Sequence, residues 1–265
     1  MPDFLQSLNA EVIKLHCEPN GNFPHNPEPL KKNLTDLSSK VIECNADLGI
    51  AVDPDVDRLV FMCENGEIFG EENTLVACAD YVLSKTPGAT VSNLSSSRSL
   101  IEITKKYNQV HFYSAVGEVN VVEKMKKYKA VIGGEGNGGV IYPESHYGRD
   151  SIVGIGLFLS LLVERGLPAS QLLKTYPKYF MLKEKVNVSP SLNIDTILKR
   201  IIEKYKNEKI DLVDGIRIDF IDSWVQLRKS NTEPIIRVYS EATTIEKAKT
   251  LIKEVEIFIS EIINS

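Results

Sequence analysis

The sequence predicts an α/β protein, with βαβ domains built on mixed, mainly parallel sheets and a C-terminal α+β domain. Strand and helix signals alternate up to about residue 176, at a spacing that is typical of βαβ units. After Tyr176-Pro177 the order changes to a strand, a helix, several short strands and a final helix, which indicates an antiparallel sheet. A length of 265 residues allows two or three compact units.

The spacing of apolar residues predicts each element in turn. The predicted strands are residues 12–16, 48–52, 59–63, 90–94, 109–113, 129–133 and 180–188. The predicted helices are residues 30–44, 71–85, 98–107, 118–128, 151–165, 192–206 and 244–262. Asn65-Gly66 predicts a turn, and the glycine-rich stretch that begins near Gly134 is expected to be a flexible loop.

Composition excludes several classes of function. The net charge of −5 argues against nucleic acid as the main partner, because a phosphate backbone requires a basic surface. No apolar run is long enough to span a bilayer, so no membrane partner is expected. The N-terminus shows no secretory signal, and the four cysteines lack metal-ligand spacing, so they are interpreted as buried thiols. These features predict a cytoplasmic protein.

An acidic run lies between the predicted strands 48–52 and 59–63. Asp53, Asp55 and Asp57 alternate along it, and three carboxylates so close together would repel one another unless a cation lay among them. Hard oxygen ligands suit Mg²⁺ or Ca²⁺, and Mg²⁺ typically shares its site with a phosphate. We therefore predict a Mg²⁺ site for phosphoryl transfer.

The acidic run also allows other interpretations. It could be a solvated turn in which Arg58 neutralises one carboxylate. An EF-hand is rejected, because Arg58 stands where that loop needs a glycine. A phosphatase of the haloacid-dehalogenase type stays open as an alternative, with Asp53 as nucleophile and Asp55 as acid/base.

A second candidate site is the segment from Arg228 to Pro234, followed by Arg237. The two arginines can bind phosphate oxygens with their forked guanidinium groups. Neutral donors lie between them, namely Ser230, Asn231 and Thr232. A loop that a proline makes rigid favours an anion-binding site. The alternative is a polar hairpin turn, which would not explain the flanking arginines.

A third candidate is the glycine-rich stretch 133–139. It lacks the endings that nucleotide-binding loops require. The carboxylate of Glu135 and the amide of Asn137 suit the recognition of hydroxyl groups, as on a sugar. A simple linker is an equally good interpretation of this stretch alone.

Taken together and in this order, these motifs resemble the α-D-phosphohexomutase family of phosphomannomutases, phosphoglucomutases and phosphoglucosamine mutases. Residues 53–58 resemble its metal loop Asp-Gly-Asp-Gly-Asp-Arg, and residues 134–139 resemble its sugar-binding loop Gly-Glu-x-Ser-Gly-His. Residues 228–234 resemble its phosphate loop Arg-x-Ser-x-Thr-x-Pro. Pro54 and Val56 replace two glycines of the metal loop, so we expect its backbone to fit without positive φ angles.

The resemblance implies a division into three regions. Residues 1–67 resemble the C-terminal part of domain 2, residues 68–176 resemble domain 3, and residues 177–265 resemble domain 4. The family's phosphoserine, which lies in a Ser-His-Asn-Pro context in domain 1, has no counterpart in these residues. The partner implied for this chain is therefore an N-terminal phosphoserine domain of the full-length enzyme.

The resemblance also implies a reaction and the residues that serve it. A hexose 6-phosphate and a hexose 1-phosphate would interconvert through a hexose bisphosphate, with Mg²⁺ as cofactor and Arg58 in a supporting role. Glu118 stands where some members have a histidine, so no general acid or base is assigned. By itself the chain is expected not to turn over substrate. A non-catalytic protein that binds sugar phosphates is the competing class.

Overall fold

The computed structural model describes residues 1–188, 194–230 and 233–264. Its residues form two compact units. The first unit comprises Met1–Phe112 and Gly117–Pro177, and the second comprises Tyr113–Val116 and Lys178–Ser265.

The first unit contains seven α-helices and the strands of one hairpin and one four-stranded sheet. Its helices are α1 (Pro2–Ser7), α2 (Thr35–Glu43), α3 (Glu71–Lys85), α4 (Ser99–Lys106), α5 (Glu118–Tyr128), α6 (Ser151–Arg165) and α7 (Ala169–Leu173). Its strands are β1 (Leu48–Val52), β2 (Leu59–Cys63), β3 (Thr90–Asn93), β4 (His111–Ser114, of which the first two residues belong to this unit), β5 (Ile132–Glu135) and β6 (Gly139–Ile141). A short 3-10 helix, Lys31–Asn33, precedes α2.

Two sheets organise the first unit. Strands β1 and β2 form an antiparallel hairpin, and a four-stranded sheet has the order β4-β3-β5-β6. Strand β3 runs parallel to β5, whereas β5 and β6 are antiparallel. The main core lies where β2 packs with α3 and α6, and the stacked rings of Phe61 and Phe158 are at its centre, with centroids 3.8 Å apart. Because β2 is buried along its whole length, the acidic run that precedes it has a fixed position.

The second unit is an antiparallel sheet covered by helices. Its strands are β7 (Phe180–Asn187), β8 (Lys209–Asp211), β9 (Ile216–Asp219), β10 (Ser223–Lys229) and β11 (Ile235–Ala242), in the order β7-β11-β10-β9-β8. Its helices are α8 (Ile194–Lys204) and α9 (Ile245–Asn264). Apolar residues of both helices, such as Ile197, Ile201, Val255 and Ile259, pack on the sheet.

The predicted fold class is confirmed as a mixed α/β protein with a C-terminal α+β unit. Helices 71–85, 118–128 and 151–165 have the predicted bounds, because their apolar periodicity and end signals agree. Predicted strand 129–133 begins later, at Ile132, since Lys129 is the left-handed residue that ends α5. No helix within the described ranges combines the length and the apolar character needed to cross a membrane.

Two local predictions were wrong. Residues 12–16 form no strand, because no neighbouring strand pairs with them, Ile13 is largely exposed and His16 has a φ of 54°. The glycine-rich stretch is a tight hairpin instead of a flexible loop, since Glu135 pairs with Gly139 across the β5–β6 turn.

Candidate active site

The turn between β1 and β2 carries the acidic run and is organised by Asp53. The N–H of Asp53 donates to the carbonyl of Arg58 at 3.3 Å. Its Oδ1 accepts hydrogen bonds from the N–H groups of Asp57 at 3.0 Å and Arg58 at 2.9 Å. The buried Asp53 carboxylate therefore closes the turn and satisfies two backbone donors that would otherwise lack partners.

The turn brings the three predicted ligands together. Asp53, Asp55 and Asp57 each offer a carboxylate oxygen, and these oxygens lie within 4.8 Å of one another. Oδ1 of Asp57 is buried and accepts no hydrogen bond from the part of the chain that the structure describes. Because a buried acceptor without a partner is costly, this oxygen fits a cation ligand.

The backbone of the turn differs from the expectation of negative φ angles throughout. Val56 has a φ of 61°, in the left-handed region, which is unusual for a β-branched residue. The conformation is held from both sides, since the N–H of Val56 donates to Asp53 O at 3.1 Å and its carbonyl accepts from Ser151 N at 3.1 Å. The left-handed backbone of Val56 is therefore a point of local strain, and it lies within the turn that keeps the three carboxylates together.

Asp53, Asp55 and Asp57 form a carboxylate triad, and the pKa of Asp57 reflects how close together these groups lie. Burial is the main cause that raises the pKa of Asp57 to about 6. The adjacent carboxylates of Asp53 and Asp55 act in the same direction, while the guanidinium of Arg149 opposes them. The raised pKa shows that the Asp57 carboxylate is destabilised by its burial and by the neighbouring negative charges.

Arg58, predicted as a supporting residue, bridges the triad to the N-terminal segment. Its Nε lies 3.6 Å from Oδ2 of Asp53 and 3.8 Å from Oδ1 of Asp57. Its Nη1 lies 3.3 Å from Oε1 of Glu28. Sequence reasoning missed Glu28, because nothing local to residues 26–30 marks it as a partner of a residue so far along the chain.

A second arginine at the triad, Arg149, was also missed. Its Nη2 pairs with Oδ2 of Asp57. Its Nε lies 2.9 Å from Oε2 of Glu118, and its Nη1 lies 3.2 Å from Oε2 of Glu135. The sequence contains no signal that Arg149 pairs with these carboxylates. Its only visible feature is its position before Asp150, the residue that caps α6.

The predicted sugar-binding hairpin lies directly against the β1–β2 turn. The carbonyl of Gly138 accepts a hydrogen bond from the N–H of Leu59, the first residue of β2, at 3.1 Å. A Cβ at Gly138, whose φ is 90°, would lie 2.4 Å from the Leu59 carbonyl oxygen. Glycine is required here because two backbones approach too closely for any side chain.

The two predicted sugar-binding residues have different surroundings. Glu135 is buried, and its Oε1 accepts hydrogen bonds from Asn93 Nδ2 at 2.7 Å and Gly117 N at 3.0 Å. Oδ1 of Asn137 accepts from Gly139 N at 3.2 Å, which stabilises the hairpin turn. Asn137 keeps its amide N–H₂ as a donor group, whereas Glu135 also holds the surrounding strands in place.

The predicted phosphate-binding residues lie on the β10–β11 hairpin of the second unit. Arg228 and Arg237 are directly opposite each other in the register. Nη1 of Arg228 lies 3.1 Å from Oδ2 of Asp214, another partner that the sequence did not reveal. Ser230 is buried, and its N–H donates to Ile235 O at 3.1 Å. Asn231 and Thr232 lie outside the described residues.

Comparison with family models gives three adjoining matches. Residues 1–66 match the phosphoglucomutase/phosphomannomutase alpha/beta/alpha domain II, and residues 71–179 match domain III of the same family. Residues 187–257 match the phosphoglucomutase/phosphomannomutase C-terminal domain. Together these matches cover most of the chain.

Curated relatives agree with the family models. A probable phosphoglucosamine mutase of Methanopyrus kandleri is 36% identical over 94% of this chain and 56% of its own length. A phosphoglucomutase/phosphomannomutase of Thermococcus kodakarensis is 36% identical over 94% of this chain and 55% of its own. A phosphoglucosamine/phosphogalactosamine mutase of Sulfurisphaera tokodaii is 33% identical. The chain thus spans little more than half the length of these relatives.

Solved structures share the fold. A phosphoglucomutase/phosphomannomutase family protein from Burkholderia thailandensis superposes with a TM-score of 0.83 and 25% identity, over 97% of this chain and 56% of the other. The N-acetylphosphoglucosamine mutase of Aspergillus fumigatus, solved with GlcNAc-6P and magnesium, has a TM-score of 0.58 over 79% of this chain and 51% of the other, at 15% identity. The family models and the curated relatives establish that the chain, whose fold these solved structures share, belongs to the phosphoglucomutase/phosphomannomutase family of α-D-phosphohexomutases.

Proposed function

We propose that this chain supplies the metal-binding, sugar-binding and phosphate-binding parts of a phosphohexomutase that interconverts hexose 6-phosphate and hexose 1-phosphate. The observation that carries the proposal is the group of three carboxylate oxygens within 4.8 Å on the β1–β2 turn of a chain that belongs to this family. The family's enzymes are isomerases, and the reaction is an intramolecular phosphoryl transfer through a hexose bisphosphate. Regions 1–67, 68–176 and 177–265 are proposed as the C-terminal part of domain 2, domain 3 and domain 4.

The proposed cofactor is Mg²⁺, held by Asp53, Asp55 and Asp57. The buried Oδ1 of Asp57, which accepts no hydrogen bond from the described residues, and the oxygen-only donor set support this choice. When bound, Mg²⁺ supplies positive charge that stabilises a phosphoryl group during transfer. Asp53 keeps the turn closed through its two backbone hydrogen bonds, and Arg58 holds the Asp53 and Asp57 carboxylates in place from the other side.

The proposed substrate contacts use the two hairpins. Glu135 and Asn137 would bind sugar hydroxyls, since a carboxylate accepts from them and an amide can donate and accept. Arg228 and Arg237 would bind the phosphate, together with Ser230, Asn231 and Thr232. The names of the relatives leave glucosamine, mannose and glucose phosphates as candidate substrates.

The phosphoryl-carrying serine is proposed to lie outside residues 1–265, in an N-terminal domain of the full-length enzyme. In the proposed reaction that serine gives its phosphoryl group to the free hydroxyl of the hexose phosphate, which forms the bisphosphate. The other phosphoryl group then returns to the serine. Residues 1–265 alone are therefore expected to bind metal and sugar phosphate without interconverting the two monophosphates.

Calorimetric titration of the chain with Mn²⁺, as a probe for Mg²⁺, tests the metal site. We expect saturable binding that Asp55→Asn weakens by at least about tenfold, because one of three charged ligands is lost. Asp47→Asn is the matched control, since Asp47 is an exposed aspartate just before β1. Binding that Asp55→Asn leaves unchanged would refute the assigned site.

A second measurement tests the assigned reaction. The chain is incubated with Mg²⁺, a hexose bisphosphate and glucosamine 6-phosphate, mannose 6-phosphate or glucose 6-phosphate. We expect binding of one sugar phosphate by calorimetry and no 1-phosphate product by ³¹P NMR. Rapid product formation would show that the serine is not required from elsewhere, and absence of sugar-phosphate binding would contradict the proposed substrate class.

A further inference from the structure

Arg149 makes ion pairs with three carboxylates that come from three separate elements. Asp57 lies in the β1–β2 turn that carries the proposed metal site, here called the metal turn. Glu118 begins α5, and Glu135 ends β5. Each carboxylate pairs with a different nitrogen of the guanidinium, namely Nη2, Nε and Nη1. The planar fork of one arginine therefore fixes the relative positions of these three side chains.

Two of these ion pairs, those with Asp57 and Glu135, are largely shielded from water. The side chain of Arg149 is 15% exposed, and those of Asp57 and Glu135 are 17% and 6% exposed. Shielded, charge-assisted hydrogen bonds with this geometry are stronger and better defined than exposed surface pairs. The arrangement is thus suited to holding ligands in one orientation.

The two oxygens of Asp57 are in different environments. Oδ2 pairs with Arg149, whereas Oδ1 is buried and accepts no hydrogen bond from the described residues. Nε of Arg58 lies 3.8 Å from Oδ1, too far for a hydrogen bond, so with Oδ2 held by Arg149 it is Oδ1 whose lone pairs stay available to a cation. Partners that orient a ligand through its second polar atom commonly decide how well a metal site binds.

We propose that Arg149 is a positioning residue, which orients Asp57 for metal binding and joins the metal turn to the carboxylates of Glu118 and Glu135. The inference rests on the proposed metal site. It assigns the arginine no contact with the metal. Its consequence is that changes at Arg149 or Glu118, neither of which is a metal ligand, weaken metal binding.

The test must separate the effect of the positive charge of Arg149 on cation binding from the effect of its guanidinium geometry. Removing the positive charge of Arg149 would by itself attract a cation more strongly to the remaining carboxylates. Variants that conserve charge avoid this effect. Lysine keeps the charge of Arg149 but presents one ammonium group, which cannot pair with three carboxylates in the geometry of the guanidinium fork.

The first variant is Arg149→Lys, measured by titration of the 265-residue chain with Mn²⁺. We expect the dissociation constant to rise about tenfold, as is typical when an orienting partner of a ligand is lost. Arg165→Lys is the matched control. Arg165 lies on α6 and pairs with Asp80, so its replacement should leave the metal affinity unchanged.

The second variant is Glu118→Asp, which guards against misfolding of the first. Glu118 is more exposed than the other two carboxylates, so its replacement is less disruptive to the fold. The shorter side chain withdraws from Nε of Arg149 without altering net charge. We expect about threefold weaker Mn²⁺ binding, because one of the three contacts is lost. Glu123→Asp, at an exposed position on the same helix, is the control.

The outcomes distinguish the two proposals. If the unmodified chain binds no Mn²⁺, the metal site itself is wrong, and the role of Arg149 fails with it. If the unmodified chain binds and both charge-conserving variants bind equally well or more tightly, Arg149 has no positioning role while the metal site stands. Circular dichroism and thermal unfolding confirm that each variant is folded before titration.

Discussion

Asp214 accepts two hydrogen bonds at one carboxylate oxygen, from Nη1 of Arg228 at 3.1 Å and from the backbone N–H of Val116 at 2.9 Å. All three residues belong to the second unit. The turn that carries Asp214 passes close to β10, and a Cβ at Gly215, whose φ is 71°, would lie 2.1 Å from the Leu227 carbonyl oxygen. Asp214 therefore restrains an arginine that would otherwise sample many rotamers.

Replacing Asp214 with alanine should lower the free energy of unfolding by about 1–2 kcal/mol, because a backbone donor and a guanidinium lose a charged acceptor. Urea unfolding of the variant, followed by tryptophan fluorescence, measures the change; Trp224 lies in the same unit. Glu208→Ala, at an exposed position, is the control and should change stability by less than about 0.5 kcal/mol. Equal stability of both variants would mean that the contact is not maintained in solution.

Gly138→Ala should disrupt the junction of the β5–β6 hairpin and the β1–β2 turn. The added Cβ would meet the Leu59 carbonyl oxygen at 2.4 Å, and backbone cannot move aside as a side chain can. We expect a loss of about 2–4 kcal/mol, from the contact together with a positive φ. Gly156→Ala is the control, since a Cβ there meets no atom within 4 Å. A Gly138→Ala variant as stable as the control would disprove the close approach.

Val56→Gly should stabilise the chain even though it removes a side chain. The φ of 61° costs a β-branched residue more than glycine loses in conformational entropy, so we expect a gain of about 1 kcal/mol in the free energy of unfolding. Val163→Gly is the control with the opposite sign, because Val163 is 83% exposed within α6 and its replacement by glycine should lower the free energy of unfolding by about 0.4 kcal/mol. Destabilisation by Val56→Gly would indicate that the turn relaxes to a negative φ.

Alkaline pH should destabilise the protein. Burial raises the pKa of the Cys63 thiol to about 12, assisted by the charges of Glu64 and Glu67, and burial beside Asp80 raises the pKa of Tyr107 to about 12. Unfolded cysteine and tyrosine lose their protons near pH 8.5 and pH 10. Above these values the folded state binds more protons than the unfolded state, so stability is complete below about pH 8.5 and falls as the pH rises towards 12.

Urea unfolding at pH 8, 9, 10 and 11 measures this fall. Each proton retained only by the folded state contributes a slope of about 1.4 kcal/mol per pH unit. Cys63→Ala should flatten the decline above pH 9, whatever its effect on stability at pH 8. Cys17→Ala, which removes an exposed thiol, is the control. An undiminished slope in Cys63→Ala would exclude Cys63 as its source.

The helices and the candidate chemistry were predictable because their signals are local. Helix α5 has an apolar face, and helices α3 and α6 are rich in apolar residues over a length that favours a helix, so residue order alone gives their bounds. The prediction of a strand at residues 12–16 was wrong because strand formation does not depend on local signals alone. A strand needs a partner, and the five residues carry no information about whether one is present.

The hairpin at Gly134–Gly139, in the candidate site, also depends on a contact that its own residues do not reveal. Its glycines suggested a flexible loop, yet Gly138 is required by the close approach of Leu59, a residue from a different hairpin. Left-handed Val56 could not be foreseen either, because the interactions that hold it come from Asp53 within the turn and Ser151 far along the chain.

By itself the sequence determined which residues could bind a cation, because three alternating carboxylates between two apolar strands repel one another in any fold. It also determined the order of the three motifs, on which the resemblance to the phosphohexomutases rests. Only the tertiary structure decided which residues support them. Arg149 pairs with Asp57, Glu28 pairs with Arg58, and Asp214 pairs with Arg228. The two partners of each pair lie on different segments of the chain. Such ion pairs depend on how the elements pack, and no spacing in the sequence encodes them.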